Sequence, residues 1–74
     1  MDKTSLENII GNIERILYRN PDNDYLICKI RCEDSSDLIT AVGYAIELQP
    51  GERLSVKGKW TINKKYGRQF DCTF

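Results

Sequence analysis

The sequence predicts an all-β domain, a five-stranded Greek-key barrel of the OB type with a short helical turn between its third and fourth strands. Three observations lead there. The chain has 74 residues, the length of one small domain. Four clusters of turn-forming residues divide it into five segments. Within most of those segments apolar residues alternate with period two, the spacing of a strand with one buried face. Closing such strands into a barrel also removes the exposed edges that a small β protein must otherwise protect. An SH3-like barrel is the alternative arrangement.

The first segment, Asn8 to Tyr18, is long and contains Gly11. A glycine inside a strand marks a bulge or tight bend, so this strand is predicted to curl there and to serve both halves of the barrel. Leu6, Ile9, Ile10, Ile13, Ile16 and Leu17 also suit a helical stripe over residues 5–17. Gly11 and the β-branched isoleucines favour the strand. A flexible start is expected over residues 1–7.

The turn Asn20-Pro21-Asp22-Asn23-Asp24 leads into a second strand, Tyr25 to Ile30. Alternation there puts Leu26, Cys28 and Ile30 inward and Tyr25, Ile27 and Lys29 outward. After Glu33-Asp34-Ser35-Ser36-Asp37 comes a third strand whose Leu38, Ile39, Ala41 and Val42 permit either face inward. Tyr44 to Leu48, ahead of Pro50-Gly51, is where the helical turn is expected.

The fourth strand is the cleanest. From Arg53 to Thr61, Leu54, Val56, Gly58 and Trp60 share one face, and Arg53, Ser55, Lys57, Lys59 and Thr61 share the other. Trp60 is therefore assigned to the core. Asn63-Lys64-Lys65-Tyr66-Gly67 turns the chain into a fifth strand, with Phe70, Cys72 and Phe74 opposite Gln69, Asp71 and Thr73. Gly43 and Gly58 are read as sites of close strand approach.

Composition narrows function. Hydrophobic residues at 41% and charged residues at 30% describe an ordinary folded chain rather than a disordered one. Eleven Lys and Arg balance eleven Asp and Glu, so no global field draws the domain to a polyanion. The balance hides a dipole: residues 1–40 carry eight acids against five bases, and residues 41–74 carry six bases against three acids. There is no histidine, which removes the commonest general base and a usual metal ligand. No carboxylate pair has an acid and base arrangement, so these residues are not expected to catalyse a reaction. Cys28, Cys32 and Cys72 are odd in number and follow no secretory signal. They are read as small apolar residues in a reducing, cytoplasmic protein rather than as disulfides or metal ligands. No apolar run approaches the roughly 18 residues of a membrane helix, so no membrane partner is expected.

Particular residues carry a resemblance over residues 8–74. They are Gly11-Asn12-Ile13-Glu14-Arg15-Ile16, Tyr18 through Tyr25, Val42-Gly43, Pro50-Gly51-Glu52 and, most specifically, Gly58-Lys59-Trp60 followed by Tyr66-Gly67-Arg68-Gln69-Phe70. Together they resemble the N-terminal OB domain of the RecD-like ATP-dependent DNA helicases, the RecD/TraA family that includes exodeoxyribonuclease V alpha subunits. Asn63 departs from the pattern, because members of that family often carry histidine there. The resemblance implies that residues 1–74 are one OB domain of a longer helicase whose ATP and Mg sites lie in motor domains elsewhere. Consistently, the chain's only Gly-Lys, Gly58-Lys59, is followed by Trp60 and has Arg53 where a phosphate loop needs glycine. No cofactor is expected within this chain.

The nucleic-acid reading rests on Lys57, Lys59, Lys64, Lys65 and Arg68 with Tyr66 at the hairpin, and on Tyr25 and Lys29 on the second strand. Cations track phosphates and an aromatic offers a stacking face, at the loops and strands where OB folds bind. Asp22 and Asp24 in the first loop oppose it. The expected partner is single-stranded DNA, contacted weakly and without sequence preference. The competing reading is a docking module for the helicase's own motor domains or a single-strand binding protein, using an apolar patch around Ile27 and Leu38. A cold-shock type of RNA-binding barrel is disfavoured because the sequence shows no closely spaced aromatics on adjacent strands.

Overall fold

The computed structural model describes residues 6–45, 47–65 and 67–73. Among them are five strands and no helix: β1 (Glu7–Arg19), β2 (Tyr25–Cys32), β3 (Leu38–Tyr44), β4 (Arg53–Asn63) and β5 (Gly67–Thr73). The order around the sheet is β1-β2-β3-β5-β4, and β4 returns to β1 to close the barrel. Every seam is antiparallel except β3–β5, which is parallel and short, joining Ala41 to Phe70 and Val42 to Asp71. This is the OB arrangement predicted from the turn spacing.

β1 serves both halves of the barrel, as expected of a long curled strand. Its residues 7–12 pair with β4 and its residues 11–19 with β2. Gly11 belongs to both ladders, opposite Cys32 on one side and Leu54 on the other. The crowding there explains the glycine: a Cβ at Gly11 would lie 2.3 Å from the Arg31 carbonyl oxygen. The bulges, however, are not at Gly11. The register slips between Ile13 and Arg15 and again between Ile16 and Tyr18. An extra residue between ladder pairs lets Ile13 and Ile16, three apart, both face the interior opposite Ile30 and Cys28. That spacing is what imitates a helical stripe. The expected flexible start is also shortened, because Glu7 already pairs with Gly58. Residues 1–5 lie outside those described.

The interior is filled as alternation dictates. Leu26, Cys28 and Ile30 from β2, Ile13 from β1, Ala41 from β3, Val56 from β4, and Phe70 and Cys72 from β5 form one buried cluster. Burying side chains such as Phe70 and Leu26, each with no exposed surface, contributes about 1.5–3 kcal/mol apiece. Register resolves the third strand: Ile39 and Ala41 sit opposite the inward Ile30 and Cys28, so Leu38, Thr40, Val42 and Tyr44 face outward.

The predicted helical turn over Tyr44–Leu48 is not formed. Tyr44 still belongs to β3, and Glu47 takes a left-handed φ of 63° that no right-handed helix accepts. Ile46 lies outside the described residues. The connection is instead tied to β1 through the backbone: Gly51 N donates to Ile13 O at 2.8 Å and Ile13 N to Glu52 O at 2.9 Å. The Arg19 guanidinium adds a hydrogen bond to the Leu48 carbonyl.

Candidate nucleic-acid interface

The β4–β5 hairpin outruns its neighbours. β1 leaves β4 at Gly58, and β3 meets β5 only at Phe70 and Asp71, so Trp60 to Asn63 pair with nothing but β5. Beyond that point the inward face of the hairpin is no longer covered by the barrel. Ile62 on this face is 79% exposed. Between the hairpin and the start of β3 lies an open cleft of about 360 Å³, lined by Lys29, Asp37, Leu38, Ile39, Thr40, Trp60 and Arg68.

Trp60 is fixed from three sides. Its ring meets Phe70 edge-on, with centroids 5.0 Å apart and planes at 64°. Its Nε1 donates to Glu7 Oε1 at 2.9 Å. The Arg68 guanidinium carbon lies 4.0 Å from the ring centre, within the range of a cation–π contact. The core assignment of Trp60 holds in part, since the ring packs on the buried cluster, but it is only half-buried and it forms a wall of the cleft.

Across the cleft, Lys29 Nζ donates to the hydroxyl of buried Thr40 at 2.6 Å. Lys29 and Arg68 face one lining carboxylate, Asp37, so the cleft is net positive in a chain that is net neutral. Gln69, next to Arg68, is buried, and its side-chain oxygen has no hydrogen-bond partner among the described residues.

The outward face of β2 and β3 continues from this cleft. Ile27 and Val42, paired side by side, form a buried apolar floor on it. Beyond them Tyr25 and Tyr44 sit opposite each other with ring centroids 5.2 Å apart. Two aromatics therefore do lie together on adjacent strands, a juxtaposition that the sequence hid because nineteen positions separate them. Tyr25 is four residues from Lys29 along β2, or roughly 13 Å at strand spacing. The acidic first loop lies at the tyrosine end, where Ala45 N donates to Asp24 O at 3.0 Å, away from Lys29 and Arg68.

The predicted site residues thus divide. Lys29 and Arg68 meet in the cleft, and Tyr25 lies along the same face. Lys64 and Lys65 are exposed at the hairpin tip, where Lys65 N is held by the Asn63 side-chain oxygen at 2.7 Å. Asn63, where histidine was noted in similar helicases, ends β4 opposite Gly67, and its side chain caps the turn that follows. Lys57 and Lys59 point outward from β4, Lys59 opposite Asp71, and do not line the cleft. Tyr66 lies outside the described residues. Gly67 carries a φ of 79°, which a turn tolerates most easily in glycine. Trp60 and Thr40 join the site without having been foreseen, and Leu38, expected in a docking patch, lines the cleft as well. Parity along β4 and β5 could have found Trp60, since Arg68 shares the inward face of Phe70.

Gly58-Lys59 lies in the middle of β4, where a Cβ at Gly58 would come within 2.3 Å of the Asp71 carbonyl oxygen, so it cannot form a phosphate-cradling loop. Burial pushes the Cys28 thiol up to about 11 and the Cys72 thiol up to about 12, with Cys28 and Asp71 adding to the latter. Cys32 is also raised, by burial and by Asp37 and Asp34. Protonated thiols are poor nucleophiles and poor ligands, and among the described residues no three Cys, Asp or Glu side chains gather for a metal ion.

A family model describing the OB-fold domain of the ATP-dependent DNA helicase YrrC matches residues 6–74. The chain belongs to that family. No curated protein and no solved structure matches it. As a helicase OB domain, the chain places its basic hairpin beside the outward face of β2 and β3, the region through which OB folds engage oligonucleotides.

Proposed function

We propose that this OB domain contacts single-stranded DNA, weakly and without sequence preference, along the cleft and the adjoining β2–β3 face. The observation that carries the reading is the cleft itself, where Lys29 and Arg68 flank the half-buried Trp60. Cations for phosphates and planar groups for bases are the two components of sequence-tolerant single-strand binding. Lys64 and Lys65 at the hairpin tip, with Tyr25 and Tyr44 at the far end of the face, extend the path. Lys57 and Lys59 contribute only to the surrounding field. In this reading the parent is a RecD/TraA-type helicase, akin to exodeoxyribonuclease V alpha subunits. Its absent motor domains bind ATP and Mg, and this domain performs no chemistry.

The test is an anisotropy titration with a labelled oligothymidylate at low and moderate salt. Binding whose log affinity falls with log salt by about 0.7 per phosphate contacted supports the reading, and no binding at low salt removes it.

A second reading, docking on the motor domains or on a single-strand binding protein, is favoured by Ile62, exposed at the hairpin edge. It loses part of its original basis because Ile27, expected in an exposed apolar patch with Leu38, is buried.

A further inference from the structure

We infer that Arg68, laid against Trp60, is the stacking plane on which an unpaired base rests in the cleft. The inference rests on the single-strand reading above and deepens it by naming the group that receives the base. Trp60 is the aromatic that lines the cleft, yet one of its faces is already taken: Arg68 Cζ is 4.0 Å from the ring centre. The ring also packs against Phe70, with planes at 64°, and its Nε1 is committed to Glu7. A base cannot reach that face without displacing Arg68. The guanidinium is planar, delocalised and weakly hydrated, and it stacks on aromatic faces as readily as rings do. Over the indole, it lines the same cleft as the ring beneath it.

Three features of the cleft fit this role. Arg68 is exposed and has no carboxylate within ion-pairing distance among the described residues, so its plane is not pulled aside. The volume of about 360 Å³ falls at the small end of the roughly 300–1,000 Å³ typical of small-ligand pockets, suited to a base with its sugar. Lys29 on the opposite wall, anchored through Thr40, is placed for the attached phosphate. The arrangement separates two tasks: Lys29 supplies charge, and Arg68 supplies charge and a plane. Lysine at position 68 would keep the first and lose the second.

The chain's single tryptophan makes the test direct. Trp60 fluorescence and anisotropy are followed at low salt with two probes of equal length, an oligothymidylate and an abasic deoxyribose-phosphate strand. The expected result is that the thymidylate strand binds about tenfold or more tighter, the scale of one base-stacking contact, and alters Trp60 emission, whereas the abasic strand does so weakly. Arg68→Lys, at an exposed position and checked for an unchanged melting temperature, reduces the thymidylate strand's advantage by about fivefold or more, one stacking contact having been removed, while the rings of Tyr25 and Tyr44 retain the rest. Equal binding of the two strands to the unaltered chain, or an undiminished preference in Arg68→Lys, overturns the inference while leaving phosphate-based binding intact. Failure of both strands to bind overturns the single-strand reading and this inference with it.

Discussion

Trp60 Nε1 donates a hydrogen bond to Glu7 Oε1 at 2.9 Å, joining the projecting hairpin to the first residue of β1. The two are 53 positions apart in the chain. The bond anchors the wall of the cleft to the barrel at the point where β1 stops pairing with β4.

Glu7→Ala should therefore loosen the hairpin without unfolding the domain. A net loss of about 1 kcal/mol is expected for one hydrogen bond, or roughly 4–8 °C in Tm at this chain length. Thermal unfolding by circular dichroism measures the loss, and a shift of Trp60 emission shows that it arises at this residue. An unchanged emission maximum would mean that the bond does not hold the ring.

Phe70→Ala should be far more damaging than any change in the cleft. Phe70 is fully buried, and truncation of such a ring costs about 3–5 kcal/mol, comparable to the whole stability of a small domain. Trp60→Ala, at a half-buried ring, should cost less than Phe70→Ala. Urea titration of the two variants gives the order, and the reverse order would contradict the placement of Trp60 at the edge of the core.

Gly11→Ala tests the shared position of β1. The added Cβ would meet the Arg31 carbonyl oxygen at 2.3 Å, a backbone atom held in the β1–β2 ladder. Overpacking of this kind costs about 1–3 kcal/mol. A neutral substitution, read from the urea midpoint, would show that the two ladders do not converge there.

Alkali should destabilise the fold through its buried thiols. Cys28 at about 11 and Cys72 at about 12 lie above the ordinary thiol value. The unfolded chain therefore releases these protons at lower pH than the folded chain does, and the folded state holds more protons in between. Stability from this source is complete below the unfolded-state value near pH 8.5–9 and declines as pH rises toward 11 and 12. Replacing both cysteines by alanine should lower stability at neutral pH and flatten its decline above pH 9. An identical slope in the variant would show that the buried thiols do not carry the effect.

Much of this fold was legible because alternation and turn chemistry agree. Asn20, Asn23 and Asn63 cap their turns through side-chain oxygens, and Leu26, Cys28 and Ile30 are buried as period two requires. What misled were positions where backbone irregularity breaks the period. The bulge at Glu14, between Ile13 and Arg15, gave Ile13 and Ile16 a helical interval, and the left-handed Glu47 replaced a helical turn. The site was read less completely than the fold. Composition pointed to the basic hairpin, but alternation alone assigned Trp60 to the core, because it gives the face of a side chain and not where the covering barrel ends. The same limit grouped Lys57 and Lys59 with Arg68, from which the strand separates them. The Tyr25–Tyr44 pair depends on the β2–β3 register, which the third strand's ambiguous residues left open.

Replacement of Lys29 should separate the cleft from the outer strand face. Lys29→Ala is expected to flatten the salt dependence of oligothymidylate binding by about 0.7 in the log–log slope, one phosphate contact. The double variant Lys57→Ala, Lys59→Ala should leave the slope within about 0.3, less than half of one such contact. The opposite ranking would move the contact surface to the outside of β4.

The central claim is that the cleft and the β2–β3 face receive single-stranded DNA, and a residue-by-residue map tests it most directly. Amide and indole N–H shifts of the isotopically labelled chain would be followed while oligothymidylate is added at low salt. The account predicts that the Trp60 indole and the amides of Lys29, Thr40, Arg68 and Tyr44 move together and saturably, while those of Lys57 and Ser55 stay in place. Shifts confined to β4's outward face, or none at all, would contradict it.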